Sequence, residues 1–532
     1  MSDPTGYLAL VLHAHLPYVR HPEHEDFLEE RWFFDAMTET YLPLLNVFEG
    51  LEDDGVEYHI LLSLSPTLVS MMEDTLLEER YAAHLVKLLA LAEREAERTR
   101  HDARFRPLAL WYRDQFHRTL YWFEEKYGRR PAMAFQRLAA LGHVEIMTCA
   151  ATHAFLPLLR NDPGAVRAQI RTAADFHRET FGVPSEGLWL PECAYYPGLD
   201  AAVREAGARF FLLDTHAFDH ASARLPAGVY APLYCPSGVA AFGRDPESGK
   251  QVWSGKEGYP GHPDYREFYR DIGYDLDPAS LQGLLVDGTI RCETGIKYFR
   301  ITGREHKEPY RPGMARERAA RDAGDFLHRR QEQIGRLARS MDRPPLVVAP
   351  YDAELFGHWW FEGPIFLDIL FRKMHYDQET VKTTTPGLYL QSYPTNPVVT
   401  PGGSSWGGEG HYEFWITESN QWVYPLLHDA AVILAGEVDR LDGRRAAGRV
   451  GRALRQAARE LLLAQGSDWT FILRTGTSPE YAGARIRDHL ARFQALIGMV
   501  QNNAIDERAL SAIEHVDCLF PSLKLDYFSS RA

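Results

Sequence analysis

Six short apolar runs punctuate the chain, and each ends in a polar or ionisable residue. Residues 7–12 lead to His13 and His15, 59–64 to Ser65, 144–147 to His153, 187–190 to Glu192, 210–213 to Asp214, and 346–349 to Asp352. Runs of this length without alternation fit strands buried on both faces, as in a parallel sheet covered by helices. Chemistry gathered at the carboxyl ends of successive strands is the arrangement of an α/β barrel or doubly wound sheet. Helical patterns fill the intervals, as at 165–181 and 316–340. Residues 1 to about 400 therefore read as a barrel-like α/β domain, with residues 216–250 as a lid or loop segment.

Two regions break the rhythm. Residues 74–137 carry helical spacing (Leu85, Leu88, Leu89, Leu91) followed by an aromatic stretch, which predicts an inserted helical hairpin. After the Pro401-Gly402-Gly403 turn the chain becomes helical from about 420 onward. Ile486, Leu490, Phe493 and Ile497 mark one face of a helix opened by Pro479. Residues 401–532 are counted as a C-terminal helical domain that contributes to a cleft. Its arginine-rich stretch, Arg444 to Arg459, reads as a solvated face.

Composition narrows the function. The 532 residues carry 58 Lys+Arg against 73 Asp+Glu, a net charge of −15. That balance argues against nucleic acid or an anionic membrane as partner and leaves a neutral, hydroxyl-rich substrate open. The first residues lack a basic segment, and no apolar run is long enough to span a bilayer. Five scattered cysteines without a CxxC pair read as reduced thiols, so a cytoplasmic location is expected. No nucleotide-binding glycine loop or nucleophile elbow is present.

The sharpest chemical signal is a pair of carboxylates at two strand ends, Glu192 after Trp189-Leu-Pro and Asp352 after Ala349-Pro-Tyr. Aromatic residues crowd both. An apolar wall raises the pKa of one carboxyl while a polar neighbour keeps another ionised, and glycoside chemistry needs such a pair. The plain alternative is that each caps a following helix. Trp406 lies in a glycine-rich loop, Gly402 to Gly410, where an indole meets a flat sugar face more readily than a core stripe. Trp32, Trp253 and Trp415 are further ring candidates, with packing between domains an equal reading for Trp32 and Trp415. His13, His15, His153 and His216 with Asp352 also suggest a metal hydrolase. That reading lacks an evident bridging carboxylate and leaves the tryptophans unused, so no metal and no cofactor is expected. A non-catalytic carbohydrate-binding protein is the reading from outside the enzymes.

His13-Ala-His-Leu-Pro17, Glu145 to His153, Trp189-Leu-Pro-Glu-Cys193 and Tyr351 to Trp360 stand in an order that resembles glycoside hydrolase family 57. The likeness covers nearly the whole chain, and the Trp406 loop with Ser467-Asp-Trp469 is similar to its 1,4-α-glucan branching members. The resemblance implies an incomplete (β/α)7 TIM-like barrel with a helical insertion and a C-terminal helical domain. It implies a retaining mechanism with Glu192 as nucleophile and Asp352 as general acid/base, acting on an α-1,4-glucan as a monomer or small homo-oligomer. His13, His15, Trp32, His153, Asp214, Arg244, Trp253, Gly261, His358, Trp406, Trp415 and Asp468 would line the glucan cleft, with Arg244 and Gly261 flanking a strand end at Trp253. Transfer of the chain to a 6-hydroxyl would form a branch. The compact stretch 217–238, with Tyr230 and Tyr234 as its tyrosines, leaves an α-amylase or 4-α-glucanotransferase as the alternative.

Overall fold

The structure is a computed structural model that describes residues 4–303, 307–442 and 447–531. Its centre is a curled sheet with strand order β6-β7-β5-β4-β3-β2-β1-β8. These are β1 (Gly6–Ala14), β2 (Ile60–Leu64), β3 (Val144–Cys149), β4 (Gly187–Trp189), β5 (Phe210–Leu213), β6 (Leu233–Tyr234), β7 (Ala240–Gly243) and β8 (Leu346–Asp352). A ninth strand, β9 (Val381–Thr383), pairs with the start of β1. All neighbours run parallel except β6 against β7. Asp245 N–H donates to Val348 O (2.8 Å), so β8 meets the chain beyond β7 and the ring of seven parallel strands closes irregularly. The result is an incomplete (β/α)7 barrel.

The register brings the strand-end residues level. His13 pairs with Ser63 on one side and with Asp352 on the other. β1 is buried along almost its whole length, as its unbroken apolar run predicts. Two of the strands, β6 and β7, fall within the stretch expected to be a lid. Residues 216–250 therefore belong largely to the barrel. Tyr230 and Tyr234 are tied down there, donating to Asp245 Oδ1 and Pro394 O. The run Val239 to Phe242 is short and flanked by glycines, which hid β7 from a reading by length.

Helices Thr75–Arg98 and Arg106–Tyr121 form the insertion, the first capped by Asp74 accepting from Leu77 N–H. Beyond the barrel, helices Val423–Leu441, Gly448–Ala464, Ser467–Thr475, Pro479–Gln501 and Glu507–Val516 build the C-terminal region. One continuous apolar cluster runs from Leu8 in β1 through Leu461 and Ile486 to Phe528, so barrel and helices share a core. The arginines of Gly448–Ala464 do not form a solvated face. Arg459 is buried, donating to Leu519 O and Phe520 O, and Arg452 pairs with Glu507 and Glu514. Arg444 and Arg445 lie outside the described residues. No helix among the described residues is long and apolar enough to cross a membrane.

Gly357 sets the loop after β8. Its φ is +123°, and a Cβ there would stand 1.9 Å from the Glu39 carbonyl oxygen. Gly357→Ala is expected to cost about 3 kcal/mol or more, because the opposing atom is backbone and cannot swing aside. A denaturant midpoint equal to that of the parent would contradict this close approach.

Candidate active site

The site is assembled at the carboxyl ends of the strands. Pro191, Glu192 and Cys193 form a single tight turn after β4, in which Glu192 (φ +62°, ψ +22°) and Cys193 (φ +50°) both adopt the left-handed conformation. His153, after β3, does the same with φ +57°. Non-glycine residues rarely take this conformation, and it persists only where surrounding contacts enforce it. Those contacts come from far along the chain. Trp406 N–H donates to Glu192 O (2.9 Å), Tyr195 and Ser404 exchange backbone bonds, and Ser467 N–H donates to His153 O (2.9 Å).

The same segments hold the Glu192 carboxylate. Trp406 Nε1–H donates to Oε2 (2.8 Å), and Ser467 Oγ donates to Oε1 (3.0 Å). A directional chain follows. Burial, with the neighbouring histidines, keeps His13 and His153 well below the usual imidazole pKa, so both are neutral. Since Ser467 donates to the carboxylate, its oxygen accepts from His153 Nδ1–H (2.8 Å). His153 Nε2 then accepts from His13 Nε2–H (3.0 Å), and His13 Nδ1 accepts from Ser63 (3.0 Å). His15 stacks on His153 (3.8 Å between centroids), binds Ser65 through Nδ1 and faces Asp468 at 3.0 Å from Nε2. Trp189 lies parallel to His13 at 4.3 Å.

Asp214 and Arg244 pair at 3.6 Å on the neighbouring strand ends. The guanidinium carbon lies 5.6 Å from the Trp406 ring and 6.0 Å from the Trp253 ring. Trp253 stands at the end of helix Pro246–Trp253, not at a strand end as the sequence suggested; the strand stops at Gly243. Gly261 closes a turn packed against the Gly255 carbonyl, where a Cβ would be only 1.9 Å away, so backbone fit explains the glycine. Trp415 is 1% exposed, stacked on Phe155 at 4.6 Å, and has no face open to a ligand. Trp32 is partly buried, edge-on to Tyr481. His358 reaches Glu39 (3.0 Å) rather than either carboxylate of the pair.

Asp352 ends β8, partly open to the cleft. Burial raises its pKa well above the ordinary range; Glu354 and Glu192 add to this, and Arg244 opposes it. Burial likewise pushes Glu192 up to about 7, against the Trp406 and Ser467 bonds. Glu354 was not anticipated. Its carboxylate accepts from His15 N–H (3.1 Å) and from the Tyr41 hydroxyl. Tyr41 ends a π-helical turn, Met37–Tyr41, a distortion often found at functional sites. Ser65 was noted only as the polar end of its apolar run and Ser63 was missed, although Ser-x-Ser at the end of β2 mirrors His-x-His at the end of β1 and could have been found by that match.

Of the three groups among the described residues that could offer metal ligands, two lie here, His13 with Cys149 and His153, and His15 with His153 and Asp468; the third, Glu460 with His489 and Asp517, lies in the C-terminal region. Asp468 supplies the carboxylate that the sequence reading did not find. In the first group burial pushes the Cys149 thiol up, away from the thiolate a metal prefers, and both histidines are engaged in the hydrogen-bonded chain.

A barrel with two desolvated carboxyls at its strand ends, both raised by burial and one of them held by two hydrogen bonds, fits an enzyme acting on glycosidic bonds. Comparison with known proteins agrees. The profile described as glycosyl hydrolase family 57 matches residues 9–400, and that of the 1,4-alpha-glucan branching enzyme C-terminal region matches 427–528. The chain belongs to glycosyl hydrolase family 57. It is 32% identical to the 1,4-alpha-glucan branching enzyme TK1436 of Thermococcus kodakarensis, over 96% of this chain and 77% of that protein. Among solved structures, the alpha-amylase AmyC of Thermotoga maritima superposes with a TM-score of 0.92 at 39% identity, over 98% of this chain and 99% of that one. The family 57 branching enzyme of Pyrococcus horikoshii gives 0.89 at 30%, over 99% and 97%.

A nucleophile must be ionised and an acid protonated, so kcat/KM should rise with pH through about 7 as Glu192 loses its proton and fall again as Asp352 does. Removing the neighbouring charge in Glu354→Gln lowers the Asp352 pKa and moves the alkaline limb to lower pH; an unmoved limb would show that Glu354 carries no charge there. Trp406→Phe deletes a donor that favours the Glu192 anion, so the acidic limb should shift upward. That profile is read with a small activated glycoside.

Proposed function

We propose that the protein is a retaining 1,4-α-glucan branching enzyme, with residues 1–400 as its catalytic region and 401–532 completing the cleft. The observation that carries this reading is the Glu192 carboxylate held by Trp406 and Ser467 beside Asp352. Retention needs two carboxyls about 5–5.5 Å apart. Glu192 attacks the anomeric carbon while Asp352 gives its proton to the departing 4-oxygen, which leaves a glycosyl-enzyme. Asp352, now ionised, takes the proton of a 6-hydroxyl from a second glucan segment, and that oxygen displaces Glu192 to leave an α-1,6 branch.

The imidazoles of His13, His15 and His153 with Asp468 supply donors and acceptors for the hydroxyls of the glucosyl unit at Glu192. Arg244 and the Trp253 and Trp406 rings flank it. Kinship with branching enzymes in both regions of the chain supports transfer over hydrolysis.

A second reading is an α-amylase using the same groups, and the likeness to AmyC favours it. Here Tyr230 and Tyr234 are held by Asp245 and Pro394, so neither stands as a free tip over the cleft to exclude water.

Proton NMR of amylose incubated with the protein separates the two. Branching gives new α-1,6 signals with few reducing ends; an amylase gives reducing ends alone. Glu192→Gln and Asp352→Asn should each lower turnover by about 10³-fold or more while leaving the fold intact. Near-parental turnover in either would overturn the paired-carboxylate mechanism.

A further inference from the structure

The loop that follows Asp352 holds a second set of groups that the reaction at Glu192 does not use. Trp359 is 54% exposed, yet its indole is held flat on Phe268, with ring centroids 4.3 Å apart and planes 15° from parallel. The orientation is fixed from beneath. Lys297 Nζ lies 4.5 Å from the Phe268 ring centroid and is itself anchored by Glu293 (2.9 Å) and by the Phe268 carbonyl. Trp359 N–H donates to Glu354 O (3.1 Å), tying the indole's backbone to the residue two beyond Asp352. An exposed aromatic ring locked in one orientation is a preorganised apolar surface, not a loose side chain.

Polar groups converge beside it. The His358 ring stands edge-on to Phe268 and Trp359. Its Nδ1 is taken by Glu39, while Nε2 has no hydrogen-bond partner among the described residues. Burial opposes charge on this imidazole and Glu39 raises its pKa; with Nδ1 engaged by Glu39, the Nε2 edge is left for a ligand hydroxyl. Asp35, partly buried and electrostatically coupled to His358, accepts no hydrogen bond among the described residues. An open indole face beside polar groups without hydrogen-bond partners among the described residues is what a pyranose ring with neighbouring hydroxyls takes.

The position says which sugar. Trp359 and His358 stand on the loop that leaves Asp352 at the end of β8, whereas Trp406 and His153 stand at Glu192, with His13 and His15 against His153. The glycosyl unit attacked by Glu192 lies on the latter side. The chain whose hydroxyl surrenders its proton to Asp352 approaches from the former. We infer that Trp359, stacked on Phe268 and edge-on to His358, with Asp35 near that imidazole, is a binding platform for the acceptor segment of an α-glucan. The inference rests on the transglycosylating reading above and adds to it where the acceptor is held. An acceptor kept on this platform competes with water for the glycosyl-enzyme, so the platform raises the share of transfer.

The test uses the full-length protein with amylose, comparing new glycosidic links of any regiochemistry with reducing ends released. Trp359→Ala should lower that ratio at least fivefold, Trp359→Tyr should hold it within twofold, and Asp35→Asn should lower it in the same direction. A ratio unchanged in a folded Trp359→Ala protein would overturn the platform. If the parent protein yields only reducing ends, the branching reading fails and the platform is judged by binding instead. Maltoheptaose titrated calorimetrically into Glu192→Gln should then bind at least fivefold more weakly when Trp359→Ala is added. Equal affinity in that comparison would overturn it as well.

Discussion

The structure depends on keeping one carboxylate, Glu192, ionisable in a place that disfavours its charge. Burying an isolated carboxylate costs several kcal/mol after relaxation. Here two hydrogen bonds to the charged form, each worth about 1.5–3 kcal/mol, offset much of that cost. What remains unbalanced is the raised pKa itself, which leaves the group a stronger base and better nucleophile than a solvated carboxylate. The left-handed turn at Glu192 and Cys193 aims the side chain, and backbone bonds from Ser404 and Trp406 hold the turn.

Neither donor to Glu192 comes from the barrel strands. Trp406 follows the last strand, and Ser467 opens a helix of the C-terminal region. The barrel's strand ends supply Glu192, Asp352, His13 and, just beyond β1, His15; the later segments supply groups that bond Glu192 and His15. The continuous core from Leu8 to Phe528 is the physical reason the arrangement holds, because the helical region cannot move away without exposing apolar surface. Asp468, reached by His15 at 3.0 Å, is a second bond across the same junction.

The balance between transfer and hydrolysis lies outside this pair. The proposed pair, Glu192 and Asp352, fits a branching enzyme and an amylase equally, and the chain is similar to both. What separates them is which oxygen meets the glycosyl-enzyme first, a matter of water exclusion and acceptor position. The aromatic residues differ accordingly. Trp253 and Trp406 flank Arg244 next to Glu192, Trp359 stands exposed past Asp352, and Trp415 is committed to packing.

Much of this was legible in the residues. Apolar runs ending in His13, His153, Glu192, Asp214 and Asp352 announced buried parallel strands with chemistry at one end, because a strand covered on both faces has no alternation to obscure it. The helical insertion and the helix opened by Pro479 followed from spacing. Local pattern could not show that β7 lies inside an apparent loop, since four residues between glycines carry too little signal. For Trp415 it left ligand contact and packing equally open, and only the fold shows that Phe155 encloses this ring while Trp406 bonds Glu192. Partners such as Ser467, 275 residues from Glu192, and Glu354 with Tyr41, 313 apart, meet only when the barrel curls and the C-terminal helices dock. The sequence by itself determined most of the parallel strands and put Glu192 and Asp352 at the ends of two of them, through short-range hydrophobic pattern. Tertiary packing alone decided which side chains desolvate, orient and charge that pair, because those effects arise between residues far apart in the chain.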